Sequence, residues 1–176
     1  MTEARAVTAS IPHRRLPNAT KNEEAAAKRG TYIHTALAEM SASNFREIPA
    51  WVDRTSEAYI SIRRAQRWLL DHEAETIMAE RSVAYQAADG ATVLGRIDLL
   101  AWITTDDGSR EIALIDYKTE DRRAYEIDAQ KQIRAWSYQL TEYIRGIPDR
   151  YTPSSAYIIH MPRQSVISIR KVSVTA

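Results

Sequence analysis

The fold is decided by residues 95–118, which read GRIDLLAWITTDDGSREIALIDYK. Two apolar, strand-like runs, 92–103 and 111–117, lie on either side of the dipeptide Asp107-Gly108. An Asp-Gly pair between two such runs is a strong signal for a tight turn that joins antiparallel strands. The sequence therefore predicts a β-hairpin that turns around residues 104–110.

Each strand of this hairpin carries one aspartate, Asp98 in the first and Asp116 in the second. Pairing of the strands would bring these two residues close together, and Lys118 would project from the same face as Asp116. Two carboxylates and an amine suffice for metal-assisted phosphodiester cleavage, because the carboxylates hold a divalent cation while the lysine activates water or neutralises charge. The structural alternatives are a surface salt bridge between Asp116 and Lys118 and an ion pair between Asp98 and Arg96.

The rest of the chain predicts helices at about 20–41, 55–69 and 125–145, and strands at 77–85, 156–160 and 166–174. The order of two helices, three strands, a helix and two strands predicts an α/β fold with a central mixed sheet flanked by helices. Residues 1–17 have no periodicity, so we expect a flexible arm before a single domain at 18–176. Gly30 interrupts the first helix, which often marks close approach of another segment, and His34 follows one turn later.

The composition is that of an ordinary soluble globular protein, with 176 residues, 44% hydrophobic residues and 27% charged residues. There are no cysteines, which excludes disulfides, zinc-thiolate sites and iron–sulfur clusters with cysteine ligands. No apolar run approaches the roughly 20 residues that a membrane span needs. Residues 1–17 contain no apolar segment typical of a secretory signal. We therefore expect a cytoplasmic protein that does not associate with membranes.

The net charge of +1 gives no overall signature of nucleic-acid binding. Basic residues nevertheless cluster at Arg63, Arg64 and Arg67, and at Arg122, Arg123, Lys131 and Arg134. Such clusters indicate either solvated helix faces or a local phosphate-binding groove whose charge is cancelled by acidic metal-site residues. The chain lacks a phosphate-binding P-loop and a nucleophile-elbow pattern, so it predicts neither an NTPase nor an α/β-hydrolase.

The segments Gly95–Asp98 and Leu114–Thr119 together resemble the core signature of the PD-(D/E)XK nuclease superfamily, and in particular its RecB-like branch. That branch carries a histidine in an Arg-Gly-x-x-x-His pattern, and Arg29–His34 fits this pattern. It also carries a glutamate before the first catalytic strand, for which Glu80 has the appropriate spacing. The resemblance implies a restriction-endonuclease-like core, and the absence of cysteine matches the members without an iron–sulfur cluster.

A third marker of this branch is a Gln-x-x-x-Tyr element on the helix that follows the lysine. Gln132 lies at the right distance from Lys118, but Trp136 replaces the tyrosine. The segment Gln139–Tyr143 matches the letters and falls one heptad later. We expect Gln132 to be the functional glutamine, with Trp136 as a packing or DNA-stacking aromatic.

The resemblance implies a role for each of these residues. The implied catalytic residues are Asp98, Asp116, Lys118, Glu80 and Gln132, and the implied metal ligands are His34, Asp98, Asp116 and the main-chain carbonyl of Tyr117. Such ligands favour Mg²⁺ or Mn²⁺ over zinc. Arg96 and Arg134 are candidates for phosphate contacts or for ion pairs. The alternatives for His34 and Glu80 are a capped core histidine and a structural salt bridge.

The residues predict a metal-dependent nuclease, and the resemblance to the RecB-like branch implies a DNA exonuclease that acts on single- or double-stranded ends. Partner proteins with helicase, recombination or CRISPR functions, or homo-oligomerisation, would supply any further activities. Two alternatives stay open. One is a catalytically silent nucleic-acid-binding or assembly subunit with the same fold, and the other is a structure-specific endonuclease.

Overall fold

The computed structural model describes residues 5–6, 21–86, 90–120, 126–163 and 167–173, without the side chains of 5–6, 21–22 and 126–129. The helices are α1 (Lys21–Ser41), α2 (Glu57–Asp71) and α3 (Glu126–Ile144). The strands are β1 (Arg5–Ala6), β2 (Glu75–Gln86), β3 (Thr92–Thr104), β4 (Arg110–Lys118), β5 (Ser155–His160) and β6 (Ser168–Val172). A short 3-10 helix, Asp149–Tyr151, precedes β5.

The strands form one mixed sheet. β2, β3 and β4 make the expected antiparallel meander, α3 connects β4 to the parallel strand β5, and β6 pairs antiparallel with β5. This arrangement confirms the predicted α/β fold with a central mixed sheet and flanking helices. The hairpin turn includes Gly108, whose φ of +81° is a conformation that glycine adopts without strain.

Helices cover both faces of the sheet. On one face, α1 and α2 bury a core, called the α1–α2 core, that contains Ile33, Leu37, Met40, Ile62, Leu69, Leu99 and Ile115. On the other face, α3 buries the α3 core, which contains Trp136, Leu140, Tyr143, Ile97, Leu100, Leu114 and Ile158. The apolar residues of α1 recur at three- and four-residue spacing, which gives one helical face that the sheet covers.

The predicted helix and strand positions agree with these bounds, but some predictions fall outside the described residues. These include the predicted helix starts at residues 20 and 125, the strand ends Val166 and Val174, and the basic residues Arg122 and Arg123. Within the predicted arm, β1 pairs in parallel with Val93 and Leu94 of β3. The domain boundary at residue 18 stays a prediction. No helix in the described ranges is long and apolar enough to cross a membrane.

Candidate active site

The register of the meander places three carboxylates at one level of the sheet. Ala79 of β2 pairs with Leu99 of β3, which in turn pairs with Ile115 of β4. The next residue toward one end of each strand is therefore an acid, namely Glu80, Asp98 and Asp116. Asp98 also bonds to the main-chain N–H of Tyr117, the residue after Asp116. The pairing and this bond bring Asp98 to the segment that carries Asp116, as expected.

The regular alternation of β3 breaks at Asp98. Ile97 packs in the α3 core and Leu99 in the α1–α2 core, although residues two apart on a regular strand share a face. Glu80, at the same level of β2, has a φ of +48°, in the left-handed region that costs a non-glycine residue free energy. Glu80 and Asp98 contact His34 of α1, whereas Asp116 pairs with Lys118, which bonds to Gln139 of α3.

Asp98 is buried and engages the end of β4. Its Oδ2 accepts a hydrogen bond of 2.7 Å from the main-chain N–H of Tyr117. This bond lies just beyond the last paired residues of β3 and β4, Leu99 and Ile115. The side chain of Asp98 thereby fixes the backbone of the segment that carries Asp116.

Gly30 allows α1 to approach the end of β4. A Cβ atom at this position would lie 2.7 Å from Oγ1 of Thr119, which is closer than side chains tolerate. The close approach that an interior glycine predicts is therefore present. Because His34 lies one helical turn after Gly30, the same approach brings its imidazole over the carboxylates.

The guanidinium of Arg29 ties α1 to three other elements. It donates to the carbonyl of Thr119 after β4 at 3.3 Å and to the carbonyl of Met161 after β5 at 3.0 Å. A third hydrogen bond, of 3.0 Å, goes to Oγ of Ser61 in α2. The Arg-Gly pair before His34 thus positions α1. Arg29 fixes the helix by hydrogen bonds, and Gly30 allows it to approach Thr119 closely.

His34, Glu80 and Asp98 form a cluster in which one potential ligand atom from each lies within 4.8 Å of the others. His34 Nδ1 lies 3.4 Å from Asp98 Oδ1 and 3.7 Å from Glu80 Oε1. Burial alone would lower the pKa of His34, but hydrogen bonding and negative charge from Asp98 and Glu80 raise it to about 10. The imidazole is therefore no isolated core histidine, because carboxylate oxygens of Asp98 and Glu80 lie 3.4 Å and 3.7 Å from its Nδ1.

Asp116 and Lys118 form a buried ion pair, with 2.8 Å between Oδ2 and Nζ. Burial raises the pKa of Asp116 to about 6; the charge of Asp98 adds to this rise, while Lys118 opposes it. For Lys118, burial would lower the pKa, but the charge of Asp116 outweighs that effect and raises it. The pair is deeply buried, so a role as an ordinary surface salt bridge is excluded.

Gln139 joins this pair from α3. Lys118 Nζ donates to Gln139 Oε1 at 2.8 Å, and Gln139 Nε2 donates to the hydroxyl of Tyr143 at 2.5 Å. The ring of Tyr143 lies where a side chain at position 95 would be, so Gly95 of β3 makes room for it. The segment Gln139–Tyr143 therefore reaches the site as a unit.

These positions favour Gln139 over Gln132. Among the described residues, Gln132 has a 3.5 Å hydrogen bond to Oε1 of Glu120, and it does not line the cleft that contains Lys118. The two glutamines lie on the same face of α3 because they are seven residues apart. That spacing separates them by about 10 Å along the helix axis. Only the later turn of α3 comes level with Lys118.

Of the two roles predicted for Trp136, its burial in the α3 core favours packing over DNA stacking. Its side chain is 2% exposed, and its Nε1 donates to Oε1 of Glu120 at 3.0 Å. Arg96 lines the cleft and pairs with Glu80, with 2.9 Å between Nε and Oε2. Arg134 is exposed on α3 and does not line the cleft.

These groups surround a cleft of about 900 Å³ between α1, the meander and α3. The donor set is suited to a hard divalent cation, because carboxylate oxygens dominate it and one imidazole accompanies them. Asp98 and Asp116 are both buried and both line the cleft. Two buried carboxylates that line one cleft fit metal ligands.

A mixed sheet that aligns acids from adjacent strands, with a lysine two residues after one of them, defines a class of metal-dependent nucleases. The family model of the PD-(D/E)XK nuclease superfamily matches residues 12–166, and the chain belongs to this superfamily. No curated protein matches the sequence. One similar solved structure, the crystal structure of SSO0001, is 15% identical, with a TM-score of 0.42. The alignment covers 67% of this chain and 50% of that one, so the chain spans about half the length of that protein.

Proposed function

We propose that the protein is a Mg²⁺- or Mn²⁺-dependent DNA nuclease of the RecB-like branch that degrades DNA from its ends. The observation that carries this proposal is the convergence of Glu80, Asp98, Asp116 and Lys118 on one cleft. Membership of a nuclease superfamily supports a nucleic-acid substrate and divalent-metal chemistry. The preference for ends comes from the resemblance to the RecB-like branch.

The position of Gln139 strengthens the proposed assignment to this branch. The segment Gln139–Tyr143 carries the complete Gln-x-x-x-Tyr pattern, and both residues line the cleft. His34 and Glu80, the other two markers, line the same cleft. All three markers thus lie around the carboxylates, although they come from three different parts of the chain.

In this proposal His34, Asp98, Asp116 and the main-chain carbonyl of Tyr117 would hold the metal, and Glu80 would bind directly or through water. A bound divalent cation polarises a phosphoryl oxygen and lowers the pKa of coordinated water. Hydrogen bonds from neighbouring groups fix the ligands: the amide of Tyr117 orients Asp98, and Arg96 restrains Glu80.

Lys118 acts in this proposal as a fixed positive charge. Burial would lower its pKa, but the charge of Asp116 raises it, and the amine is held as an ammonium that donates hydrogen bonds. Held between Asp116 and Gln139, it would orient the attacking water and neutralise negative charge that develops on the phosphate. Of the two roles considered for this lysine, the charged state favours orientation and charge stabilisation.

The biological setting belongs to the same proposal. We place the activity in DNA repair or recombination in the cytoplasm, where helicase, recombination or CRISPR proteins, or further copies of the chain, would act with it. The superfamily match supports the nucleic-acid substrate, whereas these partners come from the resemblance to the RecB-like branch alone.

The test uses purified protein with Mg²⁺ or Mn²⁺ and two substrates, end-labelled linear DNA and closed circular DNA. We expect degradation of the linear DNA alone, loss of activity in Asp116→Ala and Lys118→Ala, and full activity in the surface control Asp71→Ala. Nicking of the circle would favour the endonuclease alternative. Tight DNA binding without cleavage in either metal would favour the silent subunit, and cleavage that persists in both site variants would contradict the site assignment.

A further inference from the structure

We propose that the exposed face of α3 formed by Lys131, Arg134, Ala135 and Tyr138, called the α3 track, binds single-stranded DNA that extends from the cleft. This proposal rests on the proposed nuclease function and adds a substrate-binding surface outside the metal site. It assigns to Arg134 a phosphate contact beyond the cleft.

The α3 track continues a row of residues that begins inside the cleft. Residues four apart lie above one another on a helix, so Tyr143, Gln139, Ala135 and Lys131 form one ridge. Tyr143 and Gln139 line the cleft, whereas Ala135 and Lys131 are exposed. A DNA strand that leaves the cleft over Gln139 would therefore pass the small side chain of Ala135 and then reach the ammonium of Lys131.

The charge of the track is complementary to a phosphate backbone. Lys131 and Arg134 are both exposed. Among the described side chains of α3 the single acid is Glu142, which is buried and lies 3.1 Å from Arg145. The described side chains of this helix therefore expose two cations and no acid, while the sequence has Asp128 three residues before Lys131, and Glu120 contacts the helix at Gln132 and Trp136.

Tyr138 supplies an aromatic surface between these charges and the cleft. Its side chain is 59% exposed, the largest value among the big apolar and aromatic side chains in the described part of the chain. It lies one turn after Arg134 and directly before Gln139. Exposed aromatics interleaved with cations bind single strands, because unpaired bases stack on the ring while the cations contact phosphates. A duplex offers no free base face, so the tyrosine favours a single strand.

The experiment measures binding without cleavage, in EDTA, by fluorescence anisotropy with labelled oligodeoxythymidylates of about 4 and about 16 nucleotides. Tyr138→Ala should weaken binding of the longer strand by about 5- to 100-fold, whereas Tyr138→Phe should retain it. Lys131→Ala with Arg134→Ala should reduce the slope of log affinity against log salt by about 1.4. Arg67→Ala, an exposed cation on α2, is the matched control and should change neither quantity.

The outcomes separate this proposal from the proposed function. Linear DNA cleavage by the wild type, together with unchanged binding in the Tyr138 and Lys131/Arg134 variants, would overturn the α3 track and leave the nuclease assignment intact. The proposal would also be overturned if the variants lost the same factor of affinity for the short and the long oligonucleotide. An equal loss of affinity in Arg67→Ala would overturn it too. Absence of both cleavage and DNA binding in the wild type would overturn both proposals. Thermal melting of each variant verifies that these surface changes leave the fold intact.

Discussion

Lys118 donates a hydrogen bond from Nζ to Oε1 of Gln139 at 2.8 Å, across the boundary between β4 and α3. The same Nζ lies 2.8 Å from Asp116 Oδ2, so the amine is held at two points. A buried ammonium with few rotameric choices is positioned before substrate arrives, which is what electrostatic catalysis requires. This contact favours Gln139 over Gln132 as the glutamine of the proposed site.

The first prediction compares the two glutamines. Gln139→Ala should lower kcat by about 10- to 100-fold, because it frees the amine of Lys118 to leave its position. Gln132→Ala should leave kcat close to the wild-type value, since its side chain bonds to Glu120 and does not line the cleft around Lys118. Steady-state kinetics on linear DNA give kcat and KM separately. A larger loss of kcat in Gln132→Ala than in Gln139→Ala would favour Gln132 as the functional glutamine.

The second prediction concerns metal binding. Mn²⁺ at about 100 times its dissociation constant should raise the free energy of unfolding by about 2.7 kcal/mol, because it binds the folded state alone. Asp98→Asn and His34→Ala should lose most of this gain, whereas Asp71→Asn should keep it. Thermal melting in EDTA and in Mn²⁺ measures the difference. Equal stabilisation of all four proteins would mean that the ion binds elsewhere.

The third prediction uses the left-handed backbone at Glu80. Because its φ is +48°, Glu80→Gly should be more stable than Glu80→Ala by about 1 kcal/mol, since only glycine adopts this conformation without strain. Chemical denaturation of the two variants gives the difference. At the ordinary strand position Ala84, the change to Gly should instead destabilise by about 0.5–1 kcal/mol. If alanine were more stable than glycine at both positions, the result would argue against backbone strain at Glu80.

The fourth prediction couples Gly30 to Thr119. In the wild type, Gly30→Ala should push α1 away from β4, lower activity and destabilise the fold, because the new Cβ would lie 2.7 Å from Thr119 Oγ1. In a Thr119→Ala background the same change should stabilise by about 1 kcal/mol, the ordinary preference for alanine in a helix. A double-mutant cycle on unfolding free energies tests this reversal. Additive effects would show that the contact does not restrict α1.

The sequence predicts the part of the site that depends on local pairing. The turn at Asp107-Gly108 sets the register of the hairpin, and that register places Asp98 beside Asp116. Strand alternation alone predicts that Lys118 projects from the same face of β4 as Asp116. The Arg-Gly pattern before His34 likewise predicts a close approach of α1, although not the segment that it contacts.

The parts that the sequence does not predict depend on contacts between distant segments. Spacing from Lys118 cannot choose between Gln132 and Gln139, because both face the sheet and only the placement of α3 decides which turn reaches the amine. The break in alternation at Asp98 and the left-handed backbone at Glu80 reflect packing on both faces of the sheet. Neither feature has a signal in a residue pattern, because alternation assumes a regular strand.

The most direct test of the central claim is a crystal structure with Mn²⁺, located by its anomalous scattering. The convergence of Asp98 and Asp116 predicts one strong peak at bonding distance from both carboxylates, with His34 adjacent. The peak should disappear in crystals of Asp116→Asn grown in the same conditions. A peak that contacts neither aspartate, or one that persists unchanged in the variant, would contradict a metal-dependent nuclease site in this cleft.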